Sequence, residues 1–325
     1  MLDCLPRVAG FCLAVSLLTV LCGPGLAADP TPDSRRLAAE LPIADMHLHL
    51  FPELTPAELI ARMDRNNVRW GGAVGPTNPR SDAGPFIATL GKRYVPMAAQ
   101  PEFLVMFRES GLPGMSTVEH PRFKAMIERA DADFQSKRIR GFGELILNNR
   151  ASHPDPSFRR KAPIDSPPVR SMFEAAARNR GVVQIHMEPD RDSVAELETV
   201  MNAYATVPVI LSHCFAVTSD TAMAEYFLRK YPRALCDLSA RSEPLLPERF
   251  RSQMIFGANF ADERWLKLME AMPGQFVIGS DATSPQHDYD RIIGNYRSGL
   301  LPRLSPATAR KIAFENAVRL FDLEE

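Results

Sequence analysis

Five short apolar runs in this chain end in, or enclose, residues able to bind a metal. Ile43-Ala44 leads to His47-Leu48-His49, and Glu144 lies inside the run 139–147. Val182-Val183-Gln184-Ile185 ends on His186, Val209-Ile210-Leu211-Ser212 on His213, and Phe276-Val277-Ile278-Gly279-Ser280 on Asp281. Helical patterns fill the intervals. A parallel β/α barrel delivers the C-terminal ends of all its strands to one rim. Positions far apart in the sequence would therefore meet around one metal site.

The apolar runs predict strands at 43–48, 70–74, 94–99, 139–147, 182–187, 208–213, 234–239 and 276–280. Several are continuously apolar, as expected of strands buried on both faces. Helical spacing appears at 55–66, 119–137, 169–180, 193–204, 219–231 and 262–272, and a last helix opens at Ser305-Pro306. Thr55-Pro56-Ala57-Glu58 has the residues of a capped start, with proline at the first helical position. The segment 82–92 is the weakest helical pattern, because Gly84, Pro85 and Gly91 interrupt it. Strands alternating with helices predict an α/β protein with a parallel sheet. Eight such units predict a closed (β/α)8 barrel of the TIM type. No GxGxxG turn follows the first strand, which disfavours a dinucleotide-binding fold. Three connections, 101–117, 148–168 and 241–259, read as long loops on the rim where barrel enzymes build their pockets.

With 325 residues, 45% hydrophobic and 24% charged, the chain has ample material for one large core. A net charge of -1 gives no reason to expect nucleic acid as a partner. Residues 1–27 read as a secretory signal: Arg7 precedes an apolar run ending near Leu21, and small residues allow cleavage after Ala27 or Ala28. The run is short for a membrane span, and Cys22 lacks the small residue upstream that lipidation uses. No stable membrane anchor is expected, and the localisation expected is periplasmic or extracellular. Residues 28–40 read as a polar lead-in, and 41–325 as a single barrel domain. Cys214 and Cys236 fall on successive strands, where one bridge is conceivable. Two separate small buried side chains are the expectation.

Residues two apart in a strand point the same way. His47 and His49 therefore present two imidazoles on one side, about 7 Å apart by strand rise. A shared metal lets such a pair coexist. Only seven histidines exist, and four fall on these strand ends. His120, His153 and His287 read as solvated. Asp281 can bind a metal and take a proton from an activated water, or cap a following helix. Glu144 is costly inside an apolar strand unless paired. It reads as a metal ligand, an acid, or the partner of Arg140.

These residues together resemble the amidohydrolase superfamily of metal-dependent hydrolases. His47-Leu48-His49, His186, His213 and Asp281 carry the resemblance. The stretch Gly279-Ser280-Asp281 and the ending Ile312-Ala313-Phe314-Glu315-Asn316-Ala317-Val318-Arg319-Leu320-Phe321 resemble its amidohydrolase-related branch. The resemblance spans residues 43–321 and implies a distorted barrel with one or two divalent metals. His47, His49, His186 and Asp281 would hold one metal. In a two-metal version Glu144 would bridge, with His186 and His213 on the second. Zinc suits these ligands, with manganese and iron as the other candidates.

The function expected is an exported hydrolase that attacks a small ester, lactone or amide with a metal-activated water. Asp281 would move the proton, and His213 would hold a second metal or orient the oxyanion. The alternative is a lyase on the same scaffold that decarboxylates or hydrates a small carboxylic acid. It would need arginines for the carboxylate, and Arg80 and Arg241 are the candidates. A further alternative is a secreted binding protein without catalysis. In each case the partner is a small molecule, on a chain compatible with an oligomer.

Overall fold

The apolar runs form the staves of a parallel β/α barrel. A computed structural model describes residues 29–153, 155–246 and 248–324; the expected signal segment lies outside the described residues. The strands are β1 (Ile43–Asp45), β2 (Val68–Gly72), β3 (Tyr94–Val95), β4 (Ala98–Ala99), β5 (Gly141–Ile146), β6 (Val182–His186), β7 (Val209–Leu211) and β8 (Ala234–Asp237). A small antiparallel pair follows, β9 (Phe256–Gly257) with β10 (Phe260–Ala261), and then β11 (Phe276–Val277).

β1, β2 and β3 pair in that order, and β4, β5, β6, β7, β8 and β11 pair in that order, all parallel. Parallel bridges from Asp45 to Ile278 and from Leu48 to Ala282 join β1 to the exit of β11 and close the ring. The run 94–99 is split. Tyr94 pairs with Gly71 on β2, while Ala98 pairs with Phe142 on β5. Pro96, which has no N–H to give a ladder, lies in the gap. With β3 and β4 as one stave the ring has eight. Every residue of β1, β7 and β8 is buried, which is why these strands read as largely apolar stretches, with Asp45 and Asp237 as the buried exceptions.

The helices follow local signals closely. Thr55 Oγ1 accepts the Glu58 N–H at 3.2 Å, and the Glu58 carboxylate accepts the Thr55 N–H at 3.1 Å. The helix Pro56–Arg65 then buries Leu59 and Met63 against β2. Two loop expectations are corrected. The polar lead-in is itself a helix, Pro32–Glu40, capped by Thr31 and anchored by buried Ala38. The expected loop 101–117 is mostly a helix, Gln100–Met115, broken at Gly111. Its Pro101 sits in the first turn, where a missing N–H costs nothing, and Phe103 and Met106 bury its inner face. No helix among the described residues is long and apolar enough to cross a membrane.

Cys214 and Cys236, expected as separate side chains, form a disulfide with a Cα–Cα distance of 4.5 Å. After β7 the backbone turns sharply through Ser212–Cys214, with φ of 56° at His213 and 48° at Cys214. That turn folds Cys214 back beside β8, where Cys236 sits opposite Leu211.

Candidate metal centre

The site begins where β1 runs out. Asp45, fully buried, accepts the His47 N–H at 3.3 Å, the Ser280 N–H at 2.8 Å and the Tyr289 hydroxyl at 3.0 Å. It locks the end of β1 to the exit of β11 and stands outside the cluster of ligand atoms. Burial raises its pKa, against hydrogen bonds from Ser280 and Tyr289 that lower it.

His47 and His49 do share one side. His47 Nδ1 lies 2.6 Å from Asp237 Oδ2, and His49 Nδ1 lies 3.2 Å from the Gly75 carbonyl. Each Nδ1–H thus has an acceptor, so in the neutral rings both Nε2 atoms present lone pairs. Those two lone pairs face each other at 3.1 Å. Two such lone pairs repel unless a proton or a metal ion lies between them. Asp281 Oδ1 is 3.4 Å from His47 Nε2 and 3.3 Å from His49 Nε2, and Glu144 Oε2 is 3.6 Å and 3.8 Å from the same atoms.

The other oxygen of Glu144 faces a second pair. Oε1 is 3.1 Å from His186 Nδ1 and 3.5 Å from His213 Nε2. His213 Nδ1 lies 2.8 Å from Ser239 Oγ and 3.2 Å from the Ser239 carbonyl, which turns its Nε2 toward Glu144, as a donor when the ring is protonated and as a lone pair when it is neutral. His186 Nε2 lies 3.2 Å from Ser152 Oγ. Two sets therefore converge within 4.8 Å, His47-His49-Glu144 and Glu144-His186-His213, with Glu144 in common. A third set, His47-His213-Asp237, includes the pair whose Nδ1 contact orients His47.

Local backbone makes room for this crowding. Asp281 adopts φ 54° and donates its N–H to the His47 carbonyl at 2.7 Å. Left-handed conformations at non-glycine residues such as Asp281 and His213 cost energy and persist where surroundings enforce them. A Cβ on Gly279 would meet the His47 Cβ at 2.5 Å and Asp237 Oδ1 at 2.9 Å. A Cβ on Gly143, at φ 150°, would meet Gln184 Cβ at 2.7 Å.

Histidines and carboxylates shift one another's ionisation across the cluster. Burial pushes the Glu144 pKa up, but His47 and the hydrogen bonds of His186 and His213 carry it well below the usual range. Burial likewise opposes ionisation of Asp281, which His47, His49 and His213 hold down at about 2. Asp237 is lowered against its burial by His47. Burial disfavours a charged His47, yet Asp237, Glu144 and Asp281 hold it well above its ordinary value. His213 is raised by Glu144 and Asp281 against the same burial.

The cluster opens into a cavity of about 490 Å³. His49, Glu144, His186, His213 and Asp281 line it. Arg241 also lines it, but it is buried and committed: Nε donates to the His213 carbonyl at 2.7 Å, Nη1 to Gln253 at 3.3 Å, and Nη2 to the Phe215 carbonyl. Arg80 is exposed and lies outside the cavity lining. Arg140 donates to the Phe321 carbonyl and does not pair with Glu144. The expectation that three histidines are solvated is corrected. His120 is buried as a helix cap, while His153 and His287 line the cavity with pKa values lowered mainly by partial burial.

Four contributors were not singled out in the sequence. Asp237 and Ser239 leave the β8 stave to orient His47 and His213. Gln184 donates to Asp237 Oδ2 at 3.1 Å. Arg160 lines the cavity from the connection after β5.

A family model described as Amidohydrolase matches residues 44–323. Among solved structures, that of an amidohydrolase from Burkholderia multivorans with bound zinc is similar at 14% identity, covering 83% of this chain and 89% of that one with a TM-score of 0.52. A 2,6-dihydroxybenzoate decarboxylase complexed with 2,6-dihydroxybenzoate is similar at 11% identity, covering 87% of this chain and 99% of that one with a TM-score of 0.50. At these identities the likeness is one of fold. No curated protein matches the chain.

Proposed function

This chain belongs to the amidohydrolase family, and on that premise we propose that it is an exported, metal-dependent hydrolase that opens a small ester, lactone or amide. The observation that carries the reading is the convergence of the Nε2 atoms of His47 and His49, 3.1 Å apart, beside a carboxylate that spans to a second histidine pair. Nitrogen and carboxylate donors in this number suit zinc. His47, His49 and Asp281 would hold one ion, His186 and His213 the other, with Glu144 between them. A divalent metal, when bound, supplies Lewis-acid activation of water and of the substrate carbonyl.

The protein's own groups do the rest. Asp281 is the carboxylate of the cluster with an open edge, its side chain 23% exposed against 4% for Glu144. Its position on the cavity wall suits it to take a proton from the attacking water and return it to the departing alcohol or amine. The Asp237–His47 contact and the Ser239–His213 contact fix ring orientation, as hydrogen bonds behind metal-binding histidines do. The Cys214–Cys236 disulfide supports export, since such bonds persist in oxidising compartments.

A lyase acting on a small carboxylic acid is the second reading, favoured by the buried Arg160 on the cavity wall. Metal analysis of the purified protein, with turnover of lactones, aryl esters, amides and small aromatic acids, tests both. Two metal equivalents with ester or lactone opening are expected. One equivalent with decarboxylation would replace the hydrolase with the lyase, and a metal-loaded protein inert to the whole panel would leave a binding protein.

A further inference from the structure

We propose that Arg160 is the anchor for a carboxylate on the substrate, so that the molecule processed in this cavity is a small organic acid. This rests on the reading of the cavity as the active site.

Arg160 enters from the long connection between β5 and β6 and is 6% exposed. Its backbone is pinned on both sides by Asn149: the Arg160 N–H donates to Asn149 Oδ1 at 2.8 Å, and its carbonyl accepts the Asn149 N–H at 3.0 Å. Nε donates to the Ile146 carbonyl at 2.8 Å and Nη1 to the Phe158 carbonyl at 3.2 Å. The guanidinium carbon stands 5.2 Å from the Phe107 ring centre. The side chain is thus held in one place, with its planar fork already oriented.

What it lacks is a counter-charge. Among the described residues no Asp or Glu forms an ion pair with it. The anion it feels is Glu144, and both oxygens of that group already face histidines. A buried cation without a partner is costly, and burial accordingly pulls its pKa down to about 10. Arg241 shows the contrast. It is equally buried, yet all three of its nitrogens donate to carbonyls of the neighbouring loops, so it serves as a brace. Arg160 has no such bond from Nη2 among the described residues, and it lines the same cavity as Glu144, His186 and Asp281. Leu104, Phe158, Leu246 and Phe250 supply apolar wall for the body of the ligand. A carboxylate accepted by this guanidinium would complete a charge-assisted pair out of water, the strong form of that contact.

The test is binding and needs no turnover. Zinc-loaded protein is titrated calorimetrically with benzoate and with benzamide, a neutral match in shape. The wild type is expected to bind benzoate at least tenfold more tightly. Arg160→Gln is expected to weaken benzoate by about 30-fold or more, with unchanged metal content. Arg160→Lys, which keeps the charge and loses the fork, is expected to fall between. Chelator-stripped wild-type protein should keep the preference for benzoate. A wild type indifferent to the charge overturns the proposal. So does benzoate affinity that vanishes with zinc yet ignores Arg160→Gln. If the glutamine variant does not fold, undiminished benzoate affinity in Arg160→Lys overturns it. A catalytically inert protein that still prefers benzoate would sink the hydrolase reading and keep the anchor; an active hydrolase blind to both substitutions would do the reverse.

Discussion

Asp237 Oδ2 lies 2.6 Å from Nδ1 of His47, and this contact decides which nitrogen of His47 faces the cluster. The carboxylate comes from β8 and the imidazole from just beyond β1, so staves distant in sequence set one tautomer. Replacing Asp237 with Asn keeps the size but offers an N–H where an acceptor is needed. Metal affinity is expected to fall roughly 10- to 100-fold, read by competition with a chelator. An unchanged affinity would show that the contact does not govern the site.

Glu144→Gln probes the bridge between the two histidine pairs. The variant retains shape and loses the charge that offsets two dications, which two-metal sites hold ~3.5–4 Å apart. Metal content is expected to drop from two equivalents to one. Equal content in wild type and variant, with only thermal stability altered, would make Glu144 a structural carboxylate.

Both of these residues show what the amino-acid order makes legible. Asp237 sits inside the apolar run 234–239 as Glu144 sits inside 139–147, and the cost of burying a carboxylate marks both. The strand-end histidines with Glu144 and Asp281 mark the rim, whereas Asp237, with no histidine beside it in the sequence, reads as an interior strand residue. The barrel was readable because its staves are buried on both faces. The helix Gln100–Met115 was not, because Pro101, Gly111 and Pro113 look like loop residues until Phe103 and Met106 find a core. Arg160 carries no local signal at all. Its meaning comes from the neighbours that the fold brings to it.

The metal-free protein should have a definite pH window. His47 and His213 have folded pKa values above the ordinary 6.5, so their stabilising contribution is complete below 6.5 and is lost as pH rises through the folded values. Asp281 is depressed from 3.8 to about 2, so its contribution is present above 3.8 and lost as pH falls toward 2. Stability of the stripped protein is expected to be greatest between these limits. Metal competes with protons for the histidines, so its stabilising effect should grow as pH rises. Thermal unfolding across pH with and without zinc checks this; a metal effect that shrinks on going alkaline contradicts it.

Gly279→Ala tests the crowding behind the ligands. The new methyl would sit 2.5 Å from His47 Cβ and 2.9 Å from Asp237 Oδ1. Overpacking of this kind costs about 1–3 kcal/mol, and here it also presses on His47 and on Asp237, the group that orients it. Urea unfolding and metal titration should both move. Loss of stability with intact metal affinity would mean that the strain relaxes away from His47.

The disulfide encloses the helix Thr221–Lys230 and most of the chain between β7 and β8 in a covalent ring, with its ends 22 residues apart. His213 and Asp237 stand immediately outside that ring, one beside each cysteine. When the sheet opens by local fluctuation, these two residues cannot drift apart as the rest of the rim can. The β7–β8 unit is therefore a hub that outlasts its surroundings, and its amides should be among the slowest to exchange with solvent. Chain folded under reducing conditions would have to assemble this side of the rim without that tether.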